Sequence, residues 1–247
     1  MSRPFFWLHV KKSAGITIRK LLKPYYVEVD RVDQPQCFIQ ASPEEYNDIL
    51  NNYRVVLGKY QLKRSLFAKK YLYHDQWEAM YSFAFSREPV DRCISMFYYT
   101  FWQKGNFLEN IQRLLSRSIR SKKFLLNKYY AFDAFLDCVL TAQQNKSTFK
   151  PLGLHFMTHT APMWDDITDF SGQGLLDQVF RLEELIPGIN QVFEVCGIDK
   201  KISDTGIHLN RNKTKKIFTP KKDQINKILR IYPHDFDIYE NAGKKKT

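Results

Sequence analysis

Phe5, Phe6, Trp7, Leu8 and Val10 form an apolar run broken once by His9, with Pro4 before it and lysines after it, the pattern of a central strand. The five residues that follow, Lys11 to Gly15, are small or cationic, and Ile16 to Leu22 reads as a helix. Further along, Tyr25 to Val29 suits a second strand, and Ser42, Pro43 and Glu45 mark the start of a helix running to about Asn51. Tyr53 to Tyr60 reads as a third strand ending at Gly58 and Lys59. Lys63 to Lys70 is basic with interleaved apolar residues. It suits an amphipathic helix or a cover over a site, with a solvated face as the more ordinary reading. Tyr81 to Phe85 alternates as a strand does, and Pro89 opens a helix carrying Arg92, Ser95 and Met96. Ala131 to Leu140 places Phe132, Phe135, Leu136, Val139 and Leu140 at helical spacing, a core face. Leu152 to Trp164, with Pro151 just before it, Pro162 within it, and two histidines, suits an irregular loop over a site.

Strands alternating with helices predict an α/β fold with a mostly parallel sheet, and 247 residues suit one domain with an adequate core. The residues are 44% hydrophobic and 15% aromatic, which excludes a disordered chain. A formal net charge of +12 directs attention to anionic partners, without choosing among nucleotides, acidic sugars, nucleic acid and acidic membrane. No apolar run approaches the length of a membrane span, and the N-terminus enters the fold without a signal-peptide core, so the expectation is a cytoplasmic protein. Cys37, Cys93, Cys138 and Cys196 lie far apart without metal-ligand spacing and read as reduced structural thiols, with no metal expected. Residues 243–247 read as a disordered basic tail.

The chemistry concentrates in two stretches. Between the first strand and its helix, small residues let the backbone approach an anion, Thr17 adds a hydroxyl, and the helix N-terminus contributes amides and its dipole. At the end of the strand that closes on Phe85, Arg87 stands beside a helix on which Arg92 and Ser95 share a face; a guanidinium and a hydroxyl there suit a second phosphate. Plainer readings remain for both: Arg92 as the partner of a carboxylate, Ser95 as a small packing residue.

Taken together, these stretches resemble the sulfotransferases. His9 to Thr17, HVKKSAGIT, resembles their 5′-phosphosulfate loop. Ser86 to Ser95, SREPVDRCIS, is similar to their 3′-phosphate motif RxPxxRxxS, with Arg87, Pro89, Arg92 and Ser95 in register. Val179 to Leu185, the helix to Gly197 and the closing Ile231 to Tyr239 extend the likeness, which is nearest to the compact carbohydrate-type branch. The resemblance implies a P-loop-like three-layer fold, a central sheet flanked by helices, in a single domain over 1–247. It also implies transfer of a sulfuryl group from 3′-phosphoadenosine 5′-phosphosulfate to an acceptor hydroxyl, without a metal. Lys12 then matches the lysine that neutralises the leaving bridging oxygen, while Ser13, Ala14, Gly15, Ile16 and Thr17 wrap the 5′-phosphate. Arg87 and Ser95 match the 3′-phosphate residues. Arg211 or Lys213, in His208 to Lys216, falls where related proteins close a loop near the nucleotide.

The departures are specific. Lys11 stands where the family commonly has proline, and Ile16 where it often has a small hydroxyl residue. Lys59 follows Gly58, where the carbohydrate branch often has its histidine base. Lys59 therefore either holds an acidic acceptor or acts as a base with a depressed pKa, or the base is another group such as His74, His155 or His159. The expected partners are a nucleotide donor and an anionic or saccharide acceptor. The basic cluster Arg113, Arg117, Arg120, Lys122 and Lys123 reads as a solvated face or an acceptor contact. Two other classes stay open. A P-loop kinase would show the GxxxxGK[ST] spacing, which is missing, and a polyanion or nucleic-acid binder would show an RNA or DNA module.

Overall fold

The computed structural model describes residues 3–25, 50, 57–102, 127–144, 153–203 and 218–244. Outside them lie most of the strand expected from Tyr25, nearly all of the Ser42 to Asn51 helix, and the start of the third strand. The basic cluster from Arg113 to Lys123, the loop with Arg211 and Lys213, and the last three residues lie outside as well. In chain order the strands are β1 (Phe5–Leu8), β2 (Tyr81–Ser86) and β3 (Gln178–Arg181). The helices are α1 (Gly15–Leu22), α2 (Arg64–Phe67), α3 (Pro89–Met96), α4 (Lys128–Gln144), α5 (Gly153–Thr160), α6 (Met163–Ile167), α7 (Leu185–Cys196), α8 (Lys222–Ile231) and α9 (Pro233–Asn241). The chain divides into two compact units, one of Met1–Arg87, Met163–Arg211 and Ile238–Thr247, the other of Glu88–Pro162 and Asn212–Asp237.

The first unit holds the sheet. Its described strands are all parallel in the order β1-β2-β3, with Phe5 opposite Tyr81, Leu8 opposite Ala84, and Ser86 opposite Arg181. β2 is thus the central strand and β1 its neighbour. All six residues of β2 are buried, as a parallel strand covered on both faces requires. The pleat sorts its neighbours' side chains into two cores. Phe6, Leu8 and Ala84 pack with Leu66, Tyr73 and Trp77, whereas Phe5, Trp7, Phe83 and Phe85 pack with Ile18 of α1 and Ile189 and Phe193 of α7. This is a helix–sheet–helix sandwich, the α/β architecture expected. Where α7 crosses the sheet, a Cβ on Gly188 would lie 3.0 Å from both Phe180 and Phe85 rings, so only glycine lets the helix approach this closely. The helix then stops at Gly197, which takes a left-handed φ of 68°.

The second unit is helical among the described residues, with a core rich in phenylalanine: Phe97, Phe101, Phe132, Phe135, Phe156 and Phe218. α3 begins with Pro89 in its first turn, and the Glu88 carboxylate accepts hydrogen bonds from the amides of Val90 (3.0 Å) and Asp91 (2.6 Å). The stretch expected as an irregular loop from Leu152 is instead mostly α5 and α6. Pro162 punctuates the two helices without breaking either, and Phe156, Met157 and Thr160 are buried along α5.

Arg92 does not stand ready for a phosphate. Its guanidinium is buried, donating to Asp235 (2.6 Å) and to the Ala161 carbonyl (2.7 Å) above the Tyr232 ring. The plainer of its two readings holds: it joins α3 to α9. Removing the acid while leaving the cation in place strands a buried charge, at a cost of roughly 3–5 kcal/mol. Asp235→Ala is therefore expected to lower the urea midpoint sharply, and Arg92→Met combined with Asp235→Leu to recover most of the loss.

Candidate active site

The chain leaves β1 at Leu8 and turns over a loop with an unusual backbone. Lys12 has φ 68° and Ala14 has φ 54°, both left-handed, whereas Ser13 between them does not. Alternating handedness of this kind curls successive amides toward one point, an anion nest. A left-handed non-glycine residue costs on the order of 1–3 kcal/mol, and such strain is typically held at functional sites. The Val10 carbonyl accepts from the Ser13 amide (3.3 Å), and the Ala14 carbonyl accepts from Thr17 (2.9 Å) and Ile18 (3.1 Å). α1 begins without a side-chain cap, so the amides of Gly15 and Ile16 in its first turn have no intrahelical acceptor. Ser13 is 1% exposed and its Oγ has no hydrogen-bond partner among the described residues. A buried hydroxyl left in this way is costly unless a ligand completes it.

Lys12 and Arg87 meet at this loop. Arg87, just past the end of β2, donates from Nη1 to the Lys12 carbonyl (3.4 Å). Burial, and next the Arg87 guanidinium, pull the Lys12 ammonium down to about 8. Thr17 is buried in the first turn of α1 beside Gly15, while Ile16 is 70% exposed, so at Ile16 only the backbone is positioned to serve an anion.

The loop is braced by His9, the first residue of its motif, and by Arg19, Arg64 and Asp166, which the sequence did not single out for it. The His9 ring stacks on Trp7 with centroids 5.3 Å apart, and a Cβ on Gly15 would sit 1.8 Å from its Nε2. Gly15 is thus glycine for space as well as for anion approach. Arg19 on α1 reaches the His9 Nδ1 (3.4 Å). Arg64, from the basic stretch read as a solvated face, is instead 2% exposed. It is gripped by both oxygens of Asp166, with Nε to Oδ1 at 2.7 Å, and donates to the His9 carbonyl (3.2 Å). The apolar interleaving of that stretch was the visible sign of burial; Asp166, 102 residues away, had none.

The remaining candidates are more dispersed. Gly58, Lys59 and Tyr60 form a 3-10 turn, with Gly58 at φ 57°, so no strand reaches Lys59. The Lys59 ammonium lies 5.3 Å from the Tyr60 ring centroid at an exposed position. His74 is exposed, 2.8 Å from Asp75, and lines a cavity of about 560 Å³ with Met80 and Ser82. Those two residues stand at the start of β2, whereas the Lys12 loop leaves the opposite, C-terminal end of β1. His155 and His159 lie on α5 in the second unit, where the Nδ1 of His159 is 2.8 Å from the His155 carbonyl and both rings pack on Tyr99. Ser95 lies on α3 in that unit, half-buried. Arg211 lies outside the described residues.

The model of the sulfotransferase family matches residues 2–241. The chain belongs to the sulfotransferase family. No curated protein and no solved structure matches it significantly. At the end of β1 the backbone itself offers an anion site: a nest of amides followed by a helix N-terminus.

The lowered Lys12 pKa has a direct consequence for anion binding. A bound phosphate favours the charged ammonium, so a phosphate-bearing nucleotide is expected to bind with proton uptake near pH 8 and with affinity that declines as pH rises further. Calorimetry in buffers of different ionisation enthalpy reads the uptake. Arg87→Ala removes a like charge and should move the Lys12 titration upward.

Proposed function

We propose that this sulfotransferase takes its sulfuryl group from 3′-phosphoadenosine 5′-phosphosulfate and delivers it to a saccharide hydroxyl, as in the compact carbohydrate-type branch. The observation that carries the donor half is the buried Ser13 hydroxyl, unpartnered among the described residues, between two left-handed residues and beside the paired cations Lys12 and Arg87. The nest amides, Ser13 and Thr17 take the 5′-phosphate. Lys12 meets the charge that gathers on the oxygen bridging phosphorus and sulfur. As the acceptor oxygen bonds to sulfur, the bond from sulfur to the bridging oxygen breaks. Its electron pair stays with the departing 3′,5′-bisphosphate, and the acceptor's proton passes to a base. Arg87 is assigned the 3′-phosphate through its motif, with Ser95 carried by the same motif. Such a reaction depends on in-line placement and on charge stabilisation more than on covalent help from the protein.

The saccharide half rests on the branch resemblance and on the basic charge of the chain, +12 at neutral pH. Binding of 3′-phosphoadenosine 5′-phosphate, ADP and ATP without magnesium tests the donor half. The 3′-phosphorylated nucleotide is expected to bind roughly tenfold tighter or more, and Arg87→Ala to erase the preference. Lys12→Ala is expected to lower turnover by about 10²–10³-fold. Equal binding of all three nucleotides, or full turnover in Lys12→Ala, overturns the reading.

A further inference from the structure

The peptide that joins His9 to Val10 leads into the anion loop, and both of its polar groups are held. Its N–H, on Val10, donates back to the Leu8 carbonyl (3.0 Å), and its C=O, on His9, accepts from Nη1 of Arg64 (3.2 Å). The Val10 carbonyl then accepts from the Ser13 amide (3.3 Å), and the backbone turns left-handed at Lys12 and again at Ala14. A backbone has only two soft dihedrals per residue, so a peptide plane held on both sides fixes the direction in which the next residues leave. One peptide thus aims the chain into the nest.

Arg64 is itself held firmly. It opens α2, is buried, and has both oxygens of Asp166 in its fork through Nε and Nη2, which turns Nη1 to His9. Asp166 is equally buried, on α6. α6 is anchored in turn. Lys63, the residue before Arg64, donates to the Thr168 hydroxyl (3.0 Å), and that hydroxyl donates to the Trp164 carbonyl (2.7 Å). The Leu175 amide donates to the Ile167 carbonyl (2.8 Å). A continuous line of contacts therefore runs from α6 through Asp166 and Arg64 to the peptide ahead of Lys12.

A buried ion pair is poor evidence for stability alone, because well-packed apolar residues of similar volume often replace one without loss. The second unit offers a comparison within the same chain. Arg92 and Asp235 are also buried, and Arg92 also donates to a backbone carbonyl, that of Ala161 in the turn between α5 and α6. The two pairs share burial and a carbonyl contact. They differ in the backbone they hold, and only Arg64 holds the approach to the left-handed loop.

We propose that Arg64 and Asp166 are positioning residues for the donor loop: Asp166 sets Arg64, Arg64 sets the His9–Val10 peptide, and that peptide holds Lys12 and the nest amides in place for the anion. The proposal rests on the donor reading of that loop given above. The pair acts before the nucleotide arrives, by reducing the share of binding energy that goes to ordering the loop. Lys12 reports on it. Its ammonium titrates near 8 because it is buried, with Arg87 beside it. A loop released from Arg64 returns that ammonium toward water, so its titration moves up toward the ordinary lysine value of 10.5. A loss of stability by itself moves no titration in molecules that stay folded.

The test uses the full chain and leaves its net charge unchanged. Arg64→Met combined with Asp166→Leu removes both charges and keeps their volume, so the His9 carbonyl loses its donor. Arg64→Lys keeps the cation and loses the fork. Arg92→Met combined with Asp235→Leu is the matching control in the second unit. The Lys12 titration is followed by NMR of 13C-methylated lysines, with its signal assigned through Lys12→Arg, and needs no nucleotide. Binding of 3′-phosphoadenosine 5′-phosphate is measured on the same folded samples, with kcat and acceptor KM wherever turnover is seen. Both Arg64 variants are expected to raise the Lys12 midpoint by about one pH unit or more. They should weaken nucleotide binding and lower kcat, each by roughly tenfold, at unchanged acceptor KM. The control is expected to leave the Lys12 midpoint at its wild-type value. An unmoved midpoint in folded Arg64 variants overturns the positioning role and leaves the pair a tie between α2 and α6. The same upward move in the control also overturns it, by showing that any loosening of the chain reaches the loop. If neither Arg64 variant folds, the pair is a requirement of the fold and the positioning role falls. Failure of the nucleotide to bind wild type removes the donor reading, while the Lys12 titration still decides whether the pair sets the loop.

Discussion

Parallel pairing of β1 with β2 is the constraint on which the candidate site depends. Parallel neighbours end at the same edge of a sheet, so the residues that follow Leu8 and those that follow Ser86 emerge together, although 75 positions separate Lys12 from Arg87. An antiparallel pairing of the same two segments would send the two cations to opposite edges. The register of Leu8 with Ala84 brings the Arg87 guanidinium to the Lys12 carbonyl, and with it a like charge that adds to burial in lowering the lysine.

The loop between β1 and α1 stores conformational cost that its surroundings must hold in place. Two left-handed residues, and a buried hydroxyl with no partner among the described residues, are unfavourable in themselves. They persist because the segment is clamped at several points. His9 fills the space above Gly15, Arg19 reaches the ring from α1, and Arg64 of α2, held by Asp166, donates to the His9 carbonyl. An anion that binds there meets groups already arranged, so little of its binding energy goes to reorganising the loop.

The excess of positive charge conceals a division of labour. Arg64 and Arg92 are buried beside Asp166 and Asp235 and are neutralised within the protein, each with a backbone carbonyl as a further acceptor. Lys12 and Arg87 are grouped at the anion nest, and Lys59 lies over the Tyr60 ring at an exposed turn. At Arg64 the guanidinium fork meets both oxygens of Asp166, a match that a single ammonium does not offer. A net charge of +12 cannot by itself distinguish these roles.

Local patterning alone determined β1, β2, the helices after each and the helical core face from Ala131, while the helix to Gly197 came with the family resemblance. In each, periodicity or a turn residue acts within a few positions, and the family motifs lie on those same segments. Periodicity did not reveal α5, because prolines on either side of it, at 151 and 162, and two histidines within it resemble a loop until Phe156 and Met157 are seen to be buried. Nor could it separate Arg64 and Arg92 from solvated cations, since the acids that neutralise them lie 102 and 143 residues away. The brace of His9 on Gly15 and the reach of Arg64 to the His9 carbonyl are likewise contacts made in space. Sequence determines which residues carry charge, rings and glycine hydrogens. Only the folded chain, by bringing distant partners within a few ångströms, decides which of those charges are neutralised within the protein and which remain for a ligand.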